Sequence, residues 1–244
     1  VARGDASLWQ PAAAVAAVLV AAPVSALAQR APAAALPRAA TPESVGFSSA
    51  RLERLDSAMA QAVADGRVAG ISTLLMRHGK VVAFKTHGMA DLENQTPLTP
   101  DSIYRIYSMT KPVTGVAMMI LFEEGRWRLD DPVSLHVPEL KDLKVMTGVD
   151  DAGTPILVPA SREPTMRELM SHTAGFGYGL RDDNPGDQLF RQKQVLGASP
   201  PPQMAERTAE IPLLFQPGTD WSYSIAVDLQ GHIVEKLSGQ SLGA

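Results

Sequence analysis

Arg105-Ile106-Tyr107-Ser108-Met109-Thr110-Lys111-Pro112 is the stretch on which the reading of this 244-residue chain turns. It closes a polar, turn-rich segment and opens a helix predicted from about Met109 to Glu124. In that helix Met109, Val113, Val116, Ala117, Ile120 and Leu121 recur at helical spacing. Gly125 stands where such a helix stops. Ser108 therefore falls at the helix N-terminus, and Lys111, three residues on, shares its face.

The chemistry of that pairing follows from the residue types. A serine hydroxyl is a weak nucleophile until a base takes its proton. A lysine can be that base only when neutral, and a helix N-terminus disfavours a positive charge beside it. Burial under the apolar helix pushes the same way. Amides of the first turn can stabilise a developing oxyanion. Ser-x-x-Lys is a short pattern that chance produces readily. It occurs here once, at a helix start.

A second group stands far downstream. Pro217-Gly218-Thr219-Asp220-Trp221-Ser222-Tyr223-Ser224 is a turn before the last helix, predicted from about Ala226 to Leu237. A tyrosine there can move a proton if a cation such as Lys111 lowers its pKa. On the residues alone, a structural tyrosine at a loop edge is the simpler reading.

Arg-Ile-Tyr-Ser-Met-Thr-Lys-Pro, followed by an apolar helix and Glu123-Glu124-Gly125, resembles the active-site segment of the serine β-lactamase-related superfamily. That group holds class C β-lactamases, DD-peptidases and family VIII carboxylesterases. The resemblance implies an α+β, β-lactamase/transpeptidase-like fold, with an antiparallel sheet flanked by helices plus a helical domain. It implies that Ser108 is acylated and that Lys111 assists as base. Tyr223 matches the tyrosine of the superfamily's Tyr-x-Asn motif. Ile225 stands where that motif has asparagine, which in β-lactamases helps hold the amide side chain of the drug. An apolar residue there points to an ester rather than a lactam. The superfamily's third motif, a Lys-Thr-Gly or His/Trp-x-Gly strand segment, has no counterpart in this chain. The resemblance thus implies an N-terminal part of a longer protein.

The other signals are weaker. Gly239-Gln240-Ser241-Leu242-Gly243 matches the Gly-x-Ser-x-Gly elbow of α/β-hydrolases, but that elbow needs a strand before its serine and an acid and histidine after it. Here a helix precedes Ser241, which reads as a turn serine. His172, at a helix end, fits a structural role; the resemblance places a similar His-Thr-x-Gly there. His78, His87, His136 and His232 show no metal-ligand spacing, and no metal or cofactor is expected. Asp130-Asp131 and Asp182-Asp183 read as solvated turns.

Residues 1 to about 40 differ from the rest. Ala12 to Val24 is a short apolar run preceded by Arg3 and followed by Ala26-Leu27-Ala28, the pattern of a secretory leader with an Ala/Pro-rich tail. Its length is short for a membrane span, so stable membrane insertion is not expected. The expected organisation is leader and linker over 1–40, the first part of a sheet domain over 41–107, and a mainly helical domain over 108–244. A secreted or periplasmic setting follows. The net charge of −4, without a basic run, gives no reason to expect nucleic acid. The chain has no cysteine. A helix capped by Ser48 or Ser49, carrying Leu52, Leu55, Met59 and Val63 and ended by Gly66, is expected, and another around Gln203 to Ala209. Hairpins are expected at Ile71–Phe84 and Val145–Val158. Thr165-Met166-Arg167-Glu168 reads as a capping box, and Gly175 to Pro202 as a long loop near the site mouth. The function that fits is a serine hydrolase acting through an acyl-enzyme on short-chain esters, with a small-molecule ester or amide as its partner. A β-lactamase or D-Ala-D-Ala carboxypeptidase is the alternative. A non-catalytic penicillin- or peptidoglycan-binding module is the rival from another class.

Overall fold

The computed structural model describes residues 35–197 and 200–244. The chain divides into two compact units, one ending at Ile103 and one beginning at Tyr104. The predicted leader lies outside the described residues.

In the N-terminal unit, helix α1 (Ser49–Ala64) packs on an antiparallel sheet of order β1 (Gly70–Arg77), β2 (Lys80–Asp91), β3 (Thr96–Pro97). The hairpin between β1 and β2 turns through His78 and Gly79, at φ 50° and 71°. That pair of left-handed residues matches the twist of the flanking strands. Ser48 occupies the N-cap of α1 without a side-chain bond; the Glu43 carboxylate accepts from the Ser49 N–H instead, at 2.8 Å. The second strand runs past Phe84, its expected end, to Asp91. Gly88, a turn signal in the sequence, lies opposite Gly70 where Val63 of α1 comes close, so it marks an approach rather than a strand end. His87 and Asp56 tie β2 to α1 at 2.8 Å.

The C-terminal unit runs α2 (Thr110–Glu123), the hairpin β4 (Lys144–Val149) and β5 (Pro155–Pro159), then α3 (Met166–Ser171), α4 (Pro185–Gln192), α5 (Pro201–Ala209) and α6 (Ala226–Ser238). Helix α2 packs along α6, and α6 also meets α3 and α5. Their core buries Met118, Trp127, Leu140, Leu169, Leu229 and Ile233, with Trp127 Nε1 donating to the Met118 carbonyl at 2.8 Å. The stripe of α2 turned inward is Thr114, Met118 and Leu121. Val113, Val116 and Ile120, expected on the same face as Leu121, are exposed. A helix apolar nearly all round does not announce which stripe its neighbour takes.

Gly175 to Pro202 is not one loop, because α4 lies within it. Asn184 caps that helix by accepting from the Asp187 N–H at 3.1 Å, and Pro185 fills its first turn. In the sequence those start signals are drowned by the surrounding Gly and Asp.

The capping box at Thr165 and Glu168 is formed and supports more than its own helix. Glu168 pairs with Arg162, whose guanidinium also donates to the Pro217 carbonyl at 2.9 Å. Gly218, at φ 83°, leaves room for that pair; a Cβ there would stand 2.7 Å from Arg162 Nη2. The turn leading to Tyr223 is thereby fastened to α3. Burial pushes the Glu168 carboxyl up, but the bonds from Arg162 and Thr165 outweigh it and hold the group below its ordinary 4.5. A carboxylate held low contributes stability that is complete above its ordinary range and is lost as pH falls through the lowered value. Arg162→Met is expected to cost about 1–3 kcal/mol at neutral pH, read by urea unfolding followed through tryptophan fluorescence. The difference should shrink below the ordinary range of a glutamate. An undiminished difference at low pH would show that the guanidinium acts by packing alone.

Candidate active site

Tyr107 precedes the nucleophile candidate at φ 45°, a conformation uncommon for a bulky side chain. The turn Tyr107–Met109 that follows hands directly into α2. Ser108 thus leaves the chain just before the helix, and Lys111 stands one turn further along. Lys111 Nζ lies 3.5 Å from Ser108 Oγ. On the other side, Ser108 Oγ is 2.7 Å from Tyr223 Oη, across 115 residues of sequence. The three predicted residues are brought together.

Tyr223 is set by a ladder of backbone contacts. The Ser222 N–H donates to the His172 carbonyl at 3.0 Å, the Ser224 N–H to His172 Nδ1 at 3.2 Å, and the Ile225 N–H to the Gly177 carbonyl at 3.0 Å. The His172 ring stacks on Tyr223 with centroids 5.2 Å apart. His172 has φ 61° at the end of α3, where it turns the chain back toward this segment. Burial, then the charge of Lys111, push its pKa below the ordinary 6.5, in keeping with a neutral ring accepting at Nδ1. The histidine is placed to position the tyrosine.

Tyr178 was not singled out in the sequence, where it sits in a Gly-rich run. Lys111 Nζ lies 5.3 Å from its ring centroid and 4.6 Å from that of Tyr223, within cation–π range of both. The loop bearing Tyr178 is gathered by Asp187, a buried carboxylate accepting from the N–H groups of Tyr178 and Gly179 at 2.9 Å and of Arg181 at 3.0 Å. Asp228, in the first turn of α6, was also missed; nothing but its distance from Tyr223 distinguished it from an ordinary helix-start acid. It joins Ser108, Lys111, Tyr178, Val227 and Leu242 in lining a recess of about 300 Å³.

Lys111 departs from the expected chemistry. Burial lowers its pKa, yet Tyr223, the charge of Tyr178 and Asp228 together more than offset this, and the amine is held above its ordinary 10.5. Tyr223 moves the other way. The Lys111 ammonium first, then the Ser108 hydroxyl, bring the phenol below its ordinary 10.0. The lysine is therefore the cation of the cluster, and the acidified group is the tyrosine. A helix end alone pointed to a neutral lysine because the sequence did not show two phenols and a carboxylate around it.

Ile225 is fully buried in the core and does not line the recess. Ser241 follows Gly239, the left-handed end of α6 at φ 73°, with no strand before it. Among the described residues no cluster of His, Asp and Glu is suited to a metal ion, and no helix is long and apolar enough to cross a membrane. A second recess, about 330 Å³, lies in the N-terminal unit between α1 and its strands. Its lining includes the charged residues Arg38, Glu53, Asp56 and Lys85.

The α+β architecture and its antiparallel hairpins are those of the β-lactamase/transpeptidase fold. Residues 55–244 match the Beta-lactamase family, and the chain belongs to that family. It is 32% identical over 199 residues to Esterase EstB of Burkholderia gladioli, covering 78% of this chain and 46% of that protein. Among solved structures it resembles EstCE1, described as a hydrolase with promiscuous acyltransferase activity, at TM-score 0.63 and 29% identity, over 78% of this chain and 48% of the other. Unliganded simvastatin synthase LovD of Aspergillus terreus is similar at TM-score 0.66 and 26% identity, over 80% of this chain and 50% of that one. The chain spans about half the length of the curated relatives it matches.

If Lys111 acidifies Tyr223, then Lys111→Met should return the phenol toward its ordinary value. Titration of ¹³C-labelled tyrosine by NMR reads this directly. The Tyr223 resonance is expected to titrate below 10.0 in the wild type and to move up in the variant. Coincident curves would show that the cation does not govern the phenol.

Proposed function

We propose that this protein is a serine hydrolase that cleaves small carboxylic esters through an acyl-enzyme on Ser108. The observation that carries the proposal is Ser108 Oγ at 2.7 Å from a phenol that a neighbouring ammonium acidifies. A nucleophile, a base and the group that tunes the base lie in contact with one another, as covalent catalysis requires.

The steps follow from the geometry. Tyr223, in the ionised form that the Lys111 ammonium favours, takes the Ser108 proton while Oγ attacks the ester carbonyl carbon. Negative charge passes to the carbonyl oxygen, and we assign the Ser108 backbone N–H as one donor to it. The tetrahedral centre collapses, the carbon–oxygen bond to the alcohol breaks, and Tyr223 returns the proton to the departing alkoxide. Water then gives its proton to Tyr223 and attacks the acyl-serine, releasing the acid and restoring the hydroxyl. Replacing water by an alcohol in that last step makes the same site an acyltransferase, the second activity in the description of EstCE1. The apolar stretch from Ala12 to Val24, with its small-residue cleavage pattern, supports an exported setting for this chemistry.

A fluorophosphonate tests the mechanism. The intact protein is expected to gain the mass of one adduct, which Ser108→Ala abolishes. Tyr223→Phe should slow adduct formation by about 10²–10⁴-fold, the range of a lost proton-transfer group. A folded protein that takes no adduct would remove the hydrolase reading and leave a ligand-binding module in its place.

A further inference from the structure

We infer that Asp228 makes the Ser108 recess select esters that are uncharged or carry a protonated amine, and turn away those bearing a carboxylate. This inference rests on the hydrolase reading above and names the substrate class for the same site.

Of the residues lining the recess, Lys111 and Asp228 are the two that carry charge. The lysine is occupied. Its ammonium lies against Ser108 and over the faces of Tyr178 and Tyr223, where it sustains the acidity of the phenol. Among the described residues no carboxylate lies within ion-pair distance of it. Asp228 is in the opposite condition. Among the described residues its carboxylate meets no side-chain donor and no ion-pair partner, yet it is open to the recess. The side chain is exposed, yet partial desolvation raises its pKa, with the Lys111 charge and its own backbone N–H opposing that rise. A carboxylate with unfilled acceptor positions at the wall of a reaction site takes a donor from whatever enters.

A substrate that brings an ammonium fills that position with a charge-assisted bond. One that brings a carboxylate meets like charge, and among the described residues lining the recess no arginine, histidine or second lysine receives it. β-Lactams and peptides ending in a free carboxylate belong to the disfavoured class. The preference for esters thus has a source in the recess, which Ile225 does not provide from the core.

Three acetate esters of one aryl framework measure the effect: phenyl acetate, 3-acetoxybenzoate and 3-acetoxy-N,N,N-trimethylanilinium. Quaternary nitrogen carries the charge without an N–H to donate, so it reads the charge contribution apart from the hydrogen bond. The quantity read is the ratio of kcat/KM for the cationic ester to that for the anionic ester. Comparing this ratio between variants cancels differences in leaving group and any general change in base strength. Asp228→Asn is expected to lower the ratio by about tenfold, the scale of charge interactions in a partly solvated pocket. Asp228→Glu keeps the charge and should retain most of the ratio. High salt should compress the wild-type ratio and leave that of the asparagine variant nearly unchanged. An unchanged ratio in Asp228→Asn, with phenyl acetate still turned over, overturns the inference and leaves the hydrolase intact. An equal fall in the Asn and Glu variants overturns it too, because shape rather than charge would be responsible. Wild-type protein that cleaves none of the three esters overturns both readings together.

Discussion

The contact between Ser108 and Tyr223 joins the start of α2 to the segment before α6, and most of the C-terminal unit can be understood as the means of holding it. A hydrogen bond between two side chains contributes about 0.5–1.5 kcal/mol on its own. That is too little to order two distant segments. The order comes from elsewhere: the packing of α2 on α6 around Met118 and Leu229, and the Arg162–Glu168 pair that fastens the Pro217 turn to α3. His172 then fixes the last few residues before Tyr223 through its carbonyl, its ring nitrogen and its stacked face. Each layer is more local than the one beneath it, and the reactive pair is the last thing placed.

Charge in the site is arranged around Lys111. A desolvated amine is expected to lose its proton more easily. Here two phenol faces and a carboxylate outweigh that tendency. In the proposed mechanism Tyr223 accepts the proton, and the contact that raises the lysine's pKa lowers that of the phenol. The arrangement also explains the placement of Asp187. By gathering the N–H groups of Tyr178 and its neighbours, that buried carboxylate keeps the second phenol against the ammonium.

What the sequence made legible was local or repetitive. The Ser-x-x-Lys at a helix start, the capping box at Thr165 and the hairpins each rest on contacts within a few residues, and the structure has them. Tyr223 became readable through the pattern around it. What stayed hidden depends on distant packing. Helix α4 was masked by a Gly- and Asp-rich context, although Asn184 and Pro185 announce it. Tyr178 has no local mark at all, since only the Asp187 cage turns its loop toward Lys111. Ile225 shows how a matched position can mislead. It stands two residues after Tyr223, yet Tyr223 meets Ser108 while Ile225 is buried in the core. The charge of Lys111 was misjudged for the same reason, because its neighbours come from three separate segments.

Asp228 and Lys111 act on Tyr223 with opposite sign. The Lys111 ammonium and the Ser108 hydroxyl lower the phenol's pKa, while burial and, least of the causes, the Asp228 carboxylate raise it. That balance depends on what occupies the recess. A cationic group seated against Asp228 would neutralise the carboxylate's raising influence. The phenol would then hold its proton less tightly when a fitting substrate is bound than when the recess is empty. An anionic group would add to the carboxylate's effect and work against ionisation of the tyrosine. On this account one carboxylate serves recognition and proton transfer through a single electrostatic term, and preference in binding carries with it a preference in the protonation state that reacts. Such coupling requires a carboxylate open to the ligand and close to the base without a salt bridge of its own, and that is the position α6 gives Asp228.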